Sequence, residues 1–413
     1  MSDLGKPGLT VRVATAAERE RWDAFVAAAP MGHLLQSWAW GEFKARFGWQ
    51  AVRLVAEQAG EVVAGAQVLF RRLPLFSLAY VPRGPVVDPV ADTAPVLFAA
   101  LHGEARRRRA IFLKIEPNLP EDEAPSRPPF REVRRDGASD EAPSCPPFRE
   151  VRRDGASDEA AFLTGLGFRP SAQRVQPRTT IVVDLTPDLA AIAARQKPKW
   201  RYNIGLAARR GVTVRQGSAA DLPVFYELLR HTGQRDRFAI HSLAYYQEFF
   251  RHLGAQARLF LAEYQGQVLA GIVITVFGRQ AIYMYGASSS EQRHLMPNHL
   301  LQWEAMKWAK AQGCTTYDLW GVPDEVTSDE GRGMRDEAES AGVKREDVKR
   351  EERETWNVEP GTGLWGVYRF KQGFGGQVIR YAGAFDYVYS PVLYRLWTQL
   401  LPRYRSLAAR QAF

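Results

Sequence analysis

Cysteine is scarce in this 413-residue chain, which holds only Cys145 and Cys314. Neither belongs to a Cys-x-x-Cys pair or lies near a pair of histidines, so no zinc site is expected and a disulfide scaffold is excluded. Two isolated thiols suit a reducing compartment. A run of about 18 apolar residues, the length needed to cross a bilayer, is missing. The nearest stretch, QVLAGIVITVFGRQ, is short, bounded by polar residues and reads as a strand. The opening residues MSDLGKPGLTVRVA lack the basic-then-apolar pattern of a secretory leader. Together these features predict a cytoplasmic protein without a bound metal.

The length suits two domains of ordinary size. Hydrophobic residues make up 46% and aromatics 11%, enough for real cores. Net charge is +9, which favours polyanionic partners such as nucleic acid, phosphates or an anionic membrane face, or serves solubility alone.

Two segments interrupt the pattern. APSRPPFREVRRDGASDE (Ala124–Glu141) is followed at once by APSCPPFREVRRDGASDE (Ala142–Glu159), differing only at Arg127 and Cys145. This tandem duplication has no apolar face of either period and reads as a surface insertion over about residues 121–160. The charge-alternating stretch Glu325–Thr355 reads as a second excursion.

The remaining chain repeats itself. LVAEQAGEVVAGAQVLF (Leu54–Phe70) and LFLAEYQGQVLAGIVITVF (Leu259–Phe277) share AExxGxVxAG and read as hairpins. Each is preceded by two amphipathic helices. Each is followed by a tyrosine-bearing strand, a helix and a strand ending in an acid, Glu116 or Asp318. This order is that of GNAT-type acyltransferase domains. The predicted fold is α+β, with two GNAT-like domains whose mixed, largely antiparallel sheets face a shared cleft. The expected boundaries are 1–178, then 179–382 with the excursion at about 325–357, then a C-terminal return, 383–413, to the first domain.

Several clusters carry candidate chemistry. Lys197, Lys199 and Arg201 in QKPKWRYNIGLAARRGVTV form a basic patch suited to phosphates, or a plain solvated helix face. Arg235, Arg237, His241 and Tyr246 crowd one loop-to-helix join, where Ser242 is a plausible N-cap. Trp40 and Lys44 share a helical face. Tyr283 and Tyr285 lie two apart on one strand and are expected to point the same way. VYRFKQGF, read as extended, puts Arg369 and Lys371 on one face and Phe370 on the other. A cleft-facing Lys371 would stabilise charge developing on a carbonyl oxygen.

The stretches QSWAWGEFK, VQPRTTIVVDL, KWRYNIGLAARRGV, RDRFAIHS, IYMYGASS, MPNHLLQWEAMKWA, YDLWGVPD and VYRFKQGFGG, in this order, resemble the Fem-type (FemABX) peptidoglycan aminoacyltransferases. The resemblance implies transfer of an amino acid from aminoacyl-tRNA to the stem-peptide amine of a UDP- or lipid-linked muropeptide precursor. It implies no cofactor, a monomer, and peripheral contact with the inner membrane face. It implies a first domain that gives way near VQPRTT and resumes after GFGG. The interval between Gly211 and Leu222 leaves no room for the coiled-coil arm of some relatives.

By motif match, Lys44 would contact the precursor diphosphate, and Tyr246 and Tyr285 would bind the precursor. Arg235 or Arg237 would replace an arginine whose place Ser242 takes. Glu116 would stand as a strand-end carboxylate once considered a general base, while Phe370 and Lys371 would meet the aminoacyl end. Lys197, Lys199 and Arg201 would touch the tRNA. Two other readings compete. One is an acyl-CoA-dependent N-acyltransferase, against which RHLMPNHLL counts because it lacks a glycine-rich pyrophosphate loop. The other is a tRNA-binding protein without activity.

Overall fold

The computed structural model describes residues 8–89, 91–121, 158–236, 239–324 and 363–400. The duplicated insertion up to residue 157, the excursion at 325–357 and Arg237 lie outside the described residues.

The first half begins with β1 (Thr10–Val13), α1 (Arg19–Ala28) and α2 (Trp38–Ala45). There follow β2 (Trp49–Gln58), β3 (Glu61–Arg72), β4 (Ser77–Pro82), α3 (Thr93–Arg107), β5 (Ala110–Glu116), α4 (Asp158–Gly165) and β6 (Arg169–Pro170). The second half runs through β7 (Thr179–Asp184), α5 (Leu189–Arg195), α6 (Pro198–Arg209), β8 (Thr213–Gly217), α7 (Leu222–Asp236) and α8 (Leu243–Leu253). It continues with β9 (Ala257–Tyr264), β10 (Gln267–Phe277), β11 (Gln280–Ser288), α9 (Pro297–Ala311) and β12 (Thr316–Val322). The chain ends in α10 (Gly363–Gln372), β13 (Gln377–Arg380), β14 (Phe385–Val388) and α11 (Pro391–Arg395).

Two seven-stranded sheets result, ordered β1-β2-β3-β4-β5-β14-β6 and β13-β7-β12-β11-β10-β9-β8. Read outward from β1 and β8, the two correspond position by position. In both, the strand next to β5 or β12 arrives from elsewhere in sequence. β14 returns from the C-terminal part to pair antiparallel with β5, and β7 pairs antiparallel with β12.

The shared hairpin motif folds alike in both halves. Ala59-Gly60 and Gln265-Gly266 have positive φ at both turn residues, the geometry of a two-residue hairpin turn. The register slips by one residue at the same place, between Ala56 and Glu57 in one and between Val268 and Ala270 in the other. The glycine of each Ala-Gly pair admits a ring from the preceding helices. A Cβ on Gly65 would lie 2.8 Å from the Trp22 ring, and one on Gly271 would lie 2.7 Å from Phe225.

The apolar side chains sort into three main cores. One lies between the first sheet and α3, around Leu97, Phe98 and Leu113. Another lies between the second sheet and α9, around Leu301, Met306 and Tyr317. A third joins the two halves, with Trp22, Leu34 and Phe43 packed with Phe225, Tyr245 and Phe249. Phe43 meets Tyr245 at 4.8 Å and Phe249 at 5.5 Å, both edge-on, a geometry worth about 0.5–1.5 kcal/mol per pair beyond its buried area.

Two local expectations are corrected. The VYRFKQ stretch is helical, within α10, not extended. Tyr368 and Lys371, three apart, are buried while Val367 and Arg369 are exposed, so the period is that of a helix. Tyr283 and Tyr285 do not point the same way. β11 pairs Tyr285 with Val273 but Tyr283 with Ile274, and this bulge at Met284 turns the two tyrosines to opposite faces. Tyr283 joins the α9 core and Tyr285 the joining core.

Candidate active site

Two lysines carry the site, Lys44 half-buried and Lys371 buried. Ser37 starts α2 by accepting a hydrogen bond from the Trp40 N–H (3.2 Å). Lys44, in the last turn, then lands among rings, with its Nζ 5.5 Å from the Tyr245 centroid, 5.6 Å from Phe43 and 5.7 Å from Trp40. Such faces attract a cation but do not neutralise it. No carboxylate pairs with Lys44 among the described residues. Burial, and then the charge of Arg71, push its pKa down to about 8. His241 stacks on Tyr245 at 3.7 Å, and burial followed by the Lys44 charge lowers its pKa. Tyr245 and Tyr285 share a hydroxyl hydrogen bond, and Tyr246 meets Tyr285 edge-on at 5.3 Å. Burial pushes Tyr246 up to about 12.

Lys44, Tyr246 and Tyr285 are therefore brought together. The residue that sequence reasoning missed is Tyr245, the ring directly under the ammonium. Its neighbour in AYYQEFF was chosen instead, and only the position of α2 against α8 separates them. Ser242 caps α8 by accepting from the Tyr245 N–H. Arg235 stands at the end of β11, ion-paired with Asp236 at 2.8 Å and donating to the Ser288 carbonyl at 3.1 Å.

The second lysine lies where the second sheet splits. β11 and β12 pair in parallel only over Gln280–Ile282 and Thr316–Asp318; beyond that, β11 continues beside β10 and β12 beside β7. Asp318, fully buried, accepts from the Thr180 hydroxyl and from the Trp320 N–H (2.7 Å), and burial holds its pKa up. Trp320 takes a left-handed backbone (φ 62°), rare for a bulky residue, at an irregularity in the β12–β7 pairing. Lys371, only 7% exposed, donates from α10 to the carbonyls of Gly321 (2.7 Å) and Trp320 (3.3 Å). Its Nζ lies 5.7 Å from the Tyr283 ring. Burial pushes its pKa down to about 8, against the pull of Asp318. The ammonium thus sits in the mouth of the split, bound to backbone on one lip and facing a tyrosine on the other.

α10 is held there by α6. Trp200 Nε1 donates to the Phe370 carbonyl (3.0 Å), and a Cβ on Gly373 would lie 2.1 Å from the Trp200 ring. Phe370 packs edge-on against His299 and Phe374, each at 5.2 Å. Lys197 donates to Gln372 Oε1 (2.7 Å), Arg201 donates to the carbonyls of Ala194 (3.1 Å) and Gln196 (2.8 Å), and Lys199 is exposed. The three basic residues border the helix that carries Lys371.

Glu116 occupies the corresponding strand end of the first sheet, with a different setting. Its carboxylate accepts from the Tyr80 hydroxyl and from the N–H groups of Val175 (2.6 Å) and Gln176 (3.1 Å). Nearby, Arg83 donates to the Pro177 carbonyl (2.7 Å), its guanidinium 4.1 Å from the Tyr381 ring and 5.5 Å from Trp320. Glu116 and Arg83 pin the crossover between the halves.

The two halves repeat one mixed α+β sheet, and in the second half the parallel strand pair opens around a buried cation. A family model described as the FemAB family matches residues 17–267 and 262–401, and the chain belongs to that family. It is an aminoacyltransferase of peptidoglycan cross-bridge synthesis.

Among curated relatives, a lipid II:glycine glycyltransferase of Staphylococcus aureus (strain bovine RF122 / ET3-1) is 24% identical over 92% of this chain and 94% of its own. A crystal structure of FemX superposes with a TM-score of 0.72 at 23% identity, covering 94% of this chain and 99% of that one. A tandem GNAT protein from the clavulanic acid biosynthesis pathway superposes with a TM-score of 0.49 at 14% identity, covering 92% and 98%. Among the described residues no helix is long and apolar enough to cross a membrane, and no cluster of side chains suits a metal.

Proposed function

We propose that this protein moves an amino acid from aminoacyl-tRNA to the stem-peptide amine of a muropeptide precursor, with the split between β11 and β12 as the reaction centre. The observation that carries this reading is the placement of Lys371, a nearly buried ammonium held on two backbone carbonyls in the mouth of that split. The relative in Staphylococcus aureus is named for adding glycine to lipid II. The analogous acceptor here is a diphosphate-bearing muropeptide.

The chemistry asks little of the protein beyond placement. The acceptor amine attacks the ester carbonyl, an amide bond forms, and the bond to the tRNA ribose oxygen breaks. The amine proton leaves with that oxygen. Lys371 steadies the oxyanion as it forms. Lys44 takes the precursor diphosphate, since it is a half-buried cation supplied with rings but with no carboxylate partner among the described residues. Tyr245, Tyr246 and Tyr285 form the wall beside it. Lys199 and Arg201, exposed on the helix that braces α10, meet the tRNA backbone, and Phe370 supports the aminoacyl end. Glu116 acts by fixing the crossover strand against Tyr80. The start of α9 at Met296-Pro297 has no glycine loop for a coenzyme A pyrophosphate.

The test is incubation with a mixture of charged tRNAs and a pentapeptide precursor, read by mass spectrometry. A mass gain of one amino-acid residue on the precursor is the expected result and identifies the amino acid. No gain with any charged tRNA, from protein that still binds tRNA, would leave only a binding role.

A further inference from the structure

The end of the first sheet remote from Arg83 carries an exposed apolar edge bordered by arginines. The turn between β3 and β4 is closed by the Leu73 N–H donating to the Phe76 carbonyl (2.8 Å). It leaves Leu75 69% exposed, with Phe76 exposed beside it. The Ser77 N–H donates to the Arg109 carbonyl (3.0 Å), which brings the turn between α3 and β5 alongside. Leu73 packs with Leu393, Tyr394 and Trp397 on Leu78, Ile111 and Phe112, so the C-terminal helical segment lies against the same edge. Its Val392 is 70% exposed and Leu396 is exposed as well.

Charge follows the same edge. Arg72, Arg109 and Arg395 are exposed, and none is ion-paired among the described residues.

We propose that this edge docks on an anionic lipid surface. Aliphatic side chains standing in water beside unpaired guanidinium groups supply the two signals that peripheral membrane binding needs. Leu75 and Val392 enter the boundary between headgroups and acyl chains, and the arginines meet the headgroup phosphates. Nucleic acid fits the edge less well, because its most exposed apolar side chains, Leu75 and Val392, have no π face on which a base can stack and Phe76 is the least exposed of the group. Arg71, one residue before Arg72 on β3, pairs with Trp49 at the start of β2, just past the end of α2 that carries Lys44. The ring-lined pocket therefore lies close to the docked edge. Its service to a lipid-borne acceptor rests on the function proposed above; the docking itself does not.

The experiment is flotation of the full-length protein with vesicles of phosphatidylcholine, with and without phosphatidylglycerol. Binding should appear with the anionic vesicles and weaken in salt. The pair Leu75→Asp and Val392→Asp should lower the bound fraction about tenfold or more. Arg72→Gln and Arg109→Gln should each lower it about fivefold. None of these changes should affect transfer to a water-soluble nucleotide-linked precursor. Tryptophan emission of Leu75→Trp should shift to the blue on anionic vesicles, a readout that does not depend on the charged variants folding. Wild-type protein that stays with the soluble fraction overturns the proposal. So do variants that float like wild type, or that lose tRNA retention while flotation is unchanged. Absence of transfer with vesicle binding intact would instead count against the proposed function alone.

Discussion

The two halves of this molecule use the same strand pair in opposite ways. In the first sheet, β4 and β5 stay paired from Ser77 against Ala110 to Pro82 against Glu116. In the second, β11 and β12 part company after Ile282 and Asp318. The closed pair ends in a carboxylate saturated by a tyrosine and two backbone N–H groups. The open pair ends in a lysine reaching in from α10. One copy of the fold has been sealed and made into a support, while the other keeps a gap where charge can be stabilised. Shared ancestry of shape therefore says little about which copy does chemistry; the extent of strand pairing says more.

The sharpest way to break this contrast is at Lys371. Lys371→Met should lower the single-turnover rate by on the order of 10²–10³ while leaving precursor affinity unchanged. Its thermal midpoint should move by no more than about 4 °C, the shift that roughly 1 kcal/mol produces in a unit of this size. Full activity would move the reaction centre out of the split.

Next comes Lys44→Ala, which should raise KM for the precursor about 10- to 100-fold, the cost of one charged hydrogen bond, with kcat nearly intact. A loss confined to kcat would reverse the roles assigned to the two lysines.

The pH profile offers a third test. Both lysines titrate near 8 in the free protein and are cationic only below that value. kcat/KM should therefore fall above pH 8, by about tenfold per pH unit for each lysine required. Bound diphosphate favours the charged form of Lys44, so its contribution should move to higher pH in kcat.

The smallest effect on turnover is expected at the closed pair. Glu116→Gln should cost about 1–3 kcal/mol of stability, read as a lowered thermal midpoint, with kcat changed less than tenfold. A drop of 10²-fold or more at unchanged stability would restore Glu116 as a general base.

Much of the fold was legible because the hairpin motif is specific. AExxGxVxAG fixes turn residues, alternation and the close-approach glycine at once, and it occurs twice. The α10 helix was not legible, because over six residues VYRFKQ satisfies both a period of two and a period of 3.6. The reversal of Tyr283 and Tyr285 was hidden for a different reason. A bulge adds a residue to one strand without changing its composition, yet it exchanges every face beyond it. Lys44 and Lys371 could be picked out as cations near aromatics. That Lys371 is buried and Lys44 half-buried, neither ion-paired with a carboxylate among the described residues, depends on contacts between segments far apart in the chain.

The swapped position of β14 sets a timetable for synthesis. Lys114 of β5 waits for Asp386 of β14, a buried pair 2.9 Å apart that also engages the Tyr394 hydroxyl. A nascent chain emerging from the ribosome displays an unfinished sheet edge and a lone interior charge until nearly all of it has been translated. Completion of the first half is thereby tied to completion of the second, and its sheet is not finished by the first half alone.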